Sequence, residues 1–107
     1  MQKYKVELLA PAWNDLDAIS DFHMETVGPK SAKNITDKIL TALTRLELFP
    51  LSCPLAPYQN LADQGYRILV YGSYLCIYKL LGNAVFVYHI AAGASNYPAL
   101  FETSEEN

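Results

Sequence analysis

Positive charge is scarce in this chain. Eight Lys and Arg stand against eleven Asp and Glu, for a net charge of -3. That balance excludes a general attraction to nucleic acid or to anionic lipid, so any phosphate chemistry would need positive charge gathered locally. Cysteine is scarce as well. Only Cys53 and Cys76 occur, with no CxxC and no spacing that suggests zinc. They read as reduced thiols in a cytoplasmic protein. Long apolar runs are missing too. The opening MQKYKVELLAPAW holds no run suited to a signal peptide, and no segment approaches a membrane span. There is no internal repeat and no low-complexity stretch.

What is present is an ordinary globular composition. The chain has 107 residues, of which 51% are apolar, enough for one core and too few for two. A single domain over 1–101 is expected, followed by a fraying acidic tail, ETSEEN, over 102–107.

Lys3 to Leu9 (KYKVELL) alternates as a strand does, with Tyr4, Val6 and Leu8 on one side. Pro11 marks the first turn of a helix, where its missing N–H is no loss. Trp13, Leu16, Ile19, Ser20, His23 and Val27 fall near one stripe, and Gly28 closes the helix. Pro29 opens a second helix, with Ala32, Ile35, Ile39, Leu43 and Leu46 at three- and four-residue steps. Phe49 is its last bulky residue and Pro50 its stop. With almost no linker between them, the two helices form an antiparallel hairpin. Leu51 to Gln64 reads as an irregular loop carrying Pro54 and Pro57.

The remainder reads as a three-stranded meander: Tyr66 to Tyr71, Tyr74 to Leu80, and Ala84 to Ala91. Gly72-Ser73 and Gly82-Asn83 are two-residue turns with glycine first. The fold class is therefore α+β, in the order β-α-α-β-β-β: one antiparallel sheet with the helix hairpin on one face.

Tight turns fix register, and register fixes neighbours. Tyr71 opposite Tyr74 places Leu69 opposite Cys76 and Arg67 opposite Tyr78. Leu81 opposite Ala84 places Tyr78 opposite Val87 and Cys76 opposite His89. One face then collects Ile68, Val70, Leu75, Ile77, Phe86, Tyr88 and Ile90, and is expected to receive the helices. The other collects Arg67, Leu69, Tyr71, Tyr74, Cys76, Tyr78, Val87 and His89. It is expected to stay open, either as a plain aromatic strand surface or as a binding face on which tyrosines stack and Arg67 holds phosphate. His23 reads as a packed histidine of the first helix. Asp15, Asp17 and Asp21 read as a solvated face and make no metal site.

Three segments, ELLAPAWNDLDAI, GYRILVYGSYLCIYK and VYHIAAGASNYPALF, resemble in this order the RelE/ParE superfamily of toxins from type II toxin–antitoxin modules. The resemblance spans Tyr4 to Phe101. It implies a small α+β toxin without a cofactor, held inactive in a hetero-oligomer by a cognate antitoxin that wraps it with a helix and an extended segment. RelE-like members cut mRNA on the ribosome; ParE-like members poison DNA gyrase. The favoured expectation is RelE-like mRNA cleavage, with gyrase poisoning as the alternative.

The last strand of many relatives reads Ile-x-x-x-Arg-x-x-Tyr. Tyr97 matches the tyrosine, but the arginine positions fall on Ala94 and Ser95, which weakens a nuclease site. Cleavage by the neighbouring 2′-hydroxyl needs a base, a cation and an acid. Arg67, His89 and Tyr97 are the catalytic candidates, and Tyr71, Tyr74 and Tyr78 the candidates for substrate binding.

Overall fold

Residues 3–93 and 96–101 are described by the structure, a computed structural model. The expected tail and the substituted positions Ala94 and Ser95 lie outside them. Helix α1 runs over Ala10–Thr26, with Pro11 in its first turn. Its end is closed by Val27 and Gly28, whose N–H groups both donate to the His23 carbonyl. Gly28 has φ 140 and is at the same time the N-cap of α2, Pro29–Thr44. A residue with a Cβ would be strained there, so glycine permits a helix to stop and another to start without a linker.

Helix α2 stops at Thr44, earlier than Phe49, and tightens into a 3-10 turn over Arg45–Glu47. The segment expected to be wholly irregular contains a short helix, α3, over Gln59–Asp63.

The strands are β1 (Lys5–Leu8), β2 (Arg67–Tyr71), β3 (Tyr74–Leu81) and β4 (Ala84–Ala92). They form one sheet in the order β1-β4-β3-β2. β1 lies parallel to β4, as a strand returning through a helical crossover can, and the meander is antiparallel. Both tight turns carry glycine at positive φ, 58 at Gly72 and 62 at Gly82, as a two-residue hairpin with glycine first requires.

The β2–β3 register is the expected one, with Tyr71 opposite Tyr74 and Arg67 opposite Tyr78. The β3–β4 register follows expectation only up to Tyr78 opposite Val87. An irregularity then pairs Ile77 with His89 and Cys76 with Ile90. One extra residue sits in β4, a bulge that turns the rest of the strand over.

The two faces are therefore exchanged relative to the sequence reading. The helices cover the side bearing Leu69, Cys76, Tyr78, Val85, Val87 and Ile90, packed with Ala12, Leu16, Ile39, Leu43 and Leu46. Tyr71 and Tyr74 pack against the same cluster. The opposite side, with Ile68, Ile77 and Ala91, carries a second cluster made with Ala56, Leu61, Tyr66 and Tyr97. It is roofed by α3, its flanking segments and a final 3-10 turn over Tyr97–Phe101.

The polar residues expected to hold their face open instead close it, because each polar tip has a partner while its apolar body fills the core. Tyr78 is 0% exposed, and its hydroxyl donates to the Pro50 carbonyl at 2.8 Å.

Candidate functional site

Arg67 is half-buried on the helix side, and its Nη1 donates to the Cys53 carbonyl at 2.7 Å. Beside it, Leu55 forms an isolated antiparallel bridge with the Arg67 backbone, and Ile68 N–H donates to Pro54 O. Arg67 thus fastens the chain leaving α2 onto the edge of β2. Tyr78 sits in the same core and anchors Pro50. Tyr74 is half-buried, its hydroxyl 3.0 Å from His23 Nε2, while His23 Nδ1 lies 3.1 Å from Ser31 Oγ. That chain joins β3, α1 and α2. Arg67, Tyr71, Tyr74 and Tyr78 therefore share the side facing the helices rather than a solvent face.

Tyr97 is on the opposite side, 5% exposed, with its ring edge-on to Tyr58 at 5.5 Å. Burial, and then the neighbouring Tyr58, push its phenol above the usual value.

His89 directly follows Tyr88, the extra residue of the bulge, and its setting follows from the shortness of β1. β1 pairs with β4 only as far as Val87. Beyond that point Asp15 of α1 takes over: its Oδ2 accepts from His89 Nδ1 at 2.8 Å and from the Ile90 N–H at 3.0 Å. The carboxylate therefore satisfies a backbone donor left open where β1 ends. His89 Nε2 has no hydrogen-bond partner among the described residues, and no buried side-chain nitrogen or oxygen there lacks one, so this nitrogen is open to solvent.

On the face away from the helices, residues not singled out by sequence come together. Lys79 Nζ lies 4.5 Å from the Tyr66 ring centroid and 5.5 Å from that of Tyr88. The Tyr66 ring meets Tyr88 edge-on at 5.1 Å and Phe101 at 4.8 Å, and Phe101 meets the His89 ring at 5.3 Å. Burial pushes the phenols of Tyr66 and Tyr88 up, so both are hydroxyl donors at neutral pH. A cation, neutral phenols and an imidazole backed by a carboxylate are groups able to bind a polar partner and to move a proton. Among the described residues, no three His, Cys, Asp or Glu gather so as to hold a metal ion. No helix there is long and apolar enough to cross a membrane.

Lys79 and Tyr88 are ordinary strand residues in the sequence, and nothing local marks them. Asp15 had one usable signal, its place on the sheet-facing flank of α1 beside Leu16 and Ile19.

A helix hairpin laid over a four-stranded sheet, joined through a parallel first strand and an antiparallel meander, defines the RelE/ParE class of toxins. The family model described as the ParE toxin of the type II toxin–antitoxin system parDE matches residues 6–97. The chain belongs to this family. Solved structures that share its fold include chains of two toxin–antitoxin assemblies. A chain of the chromosomal ParDE toxin–antitoxin system from P. aeruginosa has a TM-score of 0.71 and 20% identity, covering 84% of this chain and 96% of its own. A chain of the toxin–antitoxin complex RelBE2 from Mycobacterium tuberculosis has a TM-score of 0.64 and 19% identity, covering 89% and 97%. No curated protein matches the chain.

Proposed function

We propose that this toxin is neutralised by a cognate antitoxin and acts, when free, as a ParE-like poison of DNA gyrase rather than by cutting mRNA. The observation that carries this reading is the position of Arg67. A nuclease needs a cation free to meet the phosphorane, and the Arg67 guanidinium is held on a backbone carbonyl of its own chain. Lys79 is engaged by two tyrosine rings. The net charge of -3 also opposes docking on ribosomal RNA.

A second reading, RelE-like cleavage on the ribosome, draws on the Asp15–His89 pair. His89 with a free Nε2 would serve as the proton carrier.

Purified toxin and an Ala94→Arg variant would be added to a translating extract and to a gyrase supercoiling assay. Gyrase-dependent DNA breaks with intact message support the first reading. Cut message that increases in the arginine variant, and is lost in His89→Ala, supports the second and rejects the first.

A further inference from the structure

The hairpin of α1 and α2 brings together a hydroxyl and an imidazole that neither reading of the target uses. Ser31, in the first turn of α2, has its Oγ 3.1 Å from His23 Nδ1, and His23 Nε2 lies 3.0 Å from the Tyr74 hydroxyl. Both ring nitrogens are engaged, so the imidazole is fixed in orientation. With the ring proton on Nε2 and donated to the Tyr74 oxygen, Nδ1 is left to accept from the Ser31 hydroxyl. A nucleophile within hydrogen-bond reach of a base, with the base held by a third group, is the arrangement that activates a serine.

Ser31 also has access and suitable surroundings. It borders a surface hollow of about 720 Å³, together with Val27, Lys30, Lys33, Asn34 and Asp37. Lys33 is paired with Asp37 at 2.7 Å, whereas Lys30 forms no ion pair among the described residues. Val27 is exposed and supplies an apolar wall. The Ala32 N–H donates to the Gly28 carbonyl, while the N–H groups of Lys30 and Ser31 have no acceptor among the described residues. Two free amides beside the nucleophile are donors for an oxyanion.

We propose that Ser31 is a nucleophile for acyl transfer from small esters carrying an anionic group, with His23 as its base and Tyr74 positioning that base. Ser31 Oγ bonds to the acyl carbon while its proton passes to His23 Nδ1, and the carbonyl oxygen takes the displaced electron pair. That pair then returns, the C–O bond to the leaving alcohol breaks, and the alcohol takes the proton from His23. Water repeats the two steps on acyl-Ser31, releasing the carboxylic acid and restoring the hydroxyl. Lys30 meets the anionic group and Val27 the acyl chain. This activity is independent of the gyrase and ribosome readings.

The test incubates the full chain with 4-nitrophenyl acetate and with the anionic mono-4-nitrophenyl ester of succinic acid. Release of 4-nitrophenol is followed, and peptide mapping by mass locates the acyl group. Ser31→Ala, Ser31→Cys, His23→Gln, Tyr74→Phe and Lys30→Gln are run beside it, each checked for folding by a thermal melt. The acyl group is expected on Ser31, to be lost in Ser31→Ala and to move to sulfur in Ser31→Cys. His23→Gln is expected to slow acylation by about a hundredfold or more. Tyr74→Phe should lower kcat with KM unchanged, and Lys30→Gln should raise KM for the succinate ester alone. An adduct absent from Ser31, release undiminished in Ser31→Ala, or acylation equally fast in folded His23→Gln each overturns the proposal. Ser31→Ala deletes a single oxygen, so the comparison stands even where His23→Gln does not fold.

Discussion

A single oxygen of Asp15 holds both the His89 ring, at 2.8 Å, and the backbone N–H of Ile90, at 3.0 Å. The carboxylate does for β4 what a longer β1 would have done. Asp15→Ala leaves a backbone donor and an imidazole without their acceptor, a loss expected to cost about 1–3 kcal/mol. Asp15→Asn keeps an acceptor and should cost less. Urea unfolding of the two variants checks the order; equal stability of Asp15→Ala and the unaltered chain would show that the pair holds nothing.

Arg67 is expected to matter for stability before it matters for chemistry. Arg67→Met removes a charged donor from the Cys53 carbonyl, a change worth about 1.5–3 kcal/mol. The segment from Leu51 to Tyr58 should then become sensitive to limited proteolysis. Unchanged stability and proteolysis, with activity lost, would return Arg67 to the list of catalytic groups.

Tyr78→Phe should destabilise by about 1–2 kcal/mol, because the Pro50 carbonyl loses its donor inside the core. Growth arrest by the folded variant should be unchanged, since the ring has no path to solvent. Loss of toxicity at full stability would contradict the buried, structural role.

Stability should fall in alkali. Burial, and then the neighbouring Cys53, push the Cys76 thiol from 9.0 up to about 12. The folded chain therefore keeps a proton that the unfolded chain gives up, and the resulting stabilisation is full below pH 9.0 and declines toward about pH 12. Tyr78, raised by burial in the same core, acts in the same direction. The expected slope from the thiol is at most about 1.4 kcal/mol per pH unit, and Cys76→Ala should flatten it even though it lowers stability at neutral pH. Urea midpoints across this range provide the measurement, and an unchanged slope in Cys76→Ala would assign the decline to other groups.

The periodic parts of the sequence carried the fold. Pro11, Gly28 and Pro29 punctuate the hairpin correctly, and the two Gly-first turns set β2 against β3 in register. What the sequence did not reveal is the bulge near Tyr88 and His89, since an extra residue leaves no mark in an alternating apolar run. That step places Ile90, rather than His89, opposite Cys76. The choice of buried face failed for a different reason. Arg67, Tyr74, Tyr78 and His89 looked like a solvent surface because their polar tips were visible in the sequence and their partners were not. The partners are Cys53 O, His23, Pro50 O and Asp15, from 14 to 74 residues distant along the chain. Only the closed fold brings them within reach. Tyr97 was placed at the end of the sheet by the family pattern, but its packing against Tyr58 depends on a segment whose course the sequence left open.

The inserted position in β4 is what lets Val87 and Ile90, three places apart, both meet the helices. Losing that one residue would restore plain alternation and still leave Ile90 opposite Cys76, so the helix side of the strand tolerates a single-codon loss there. The far side would feel it: without the Tyr88 ring, Lys79 keeps only that of Tyr66 of the two it now lies over.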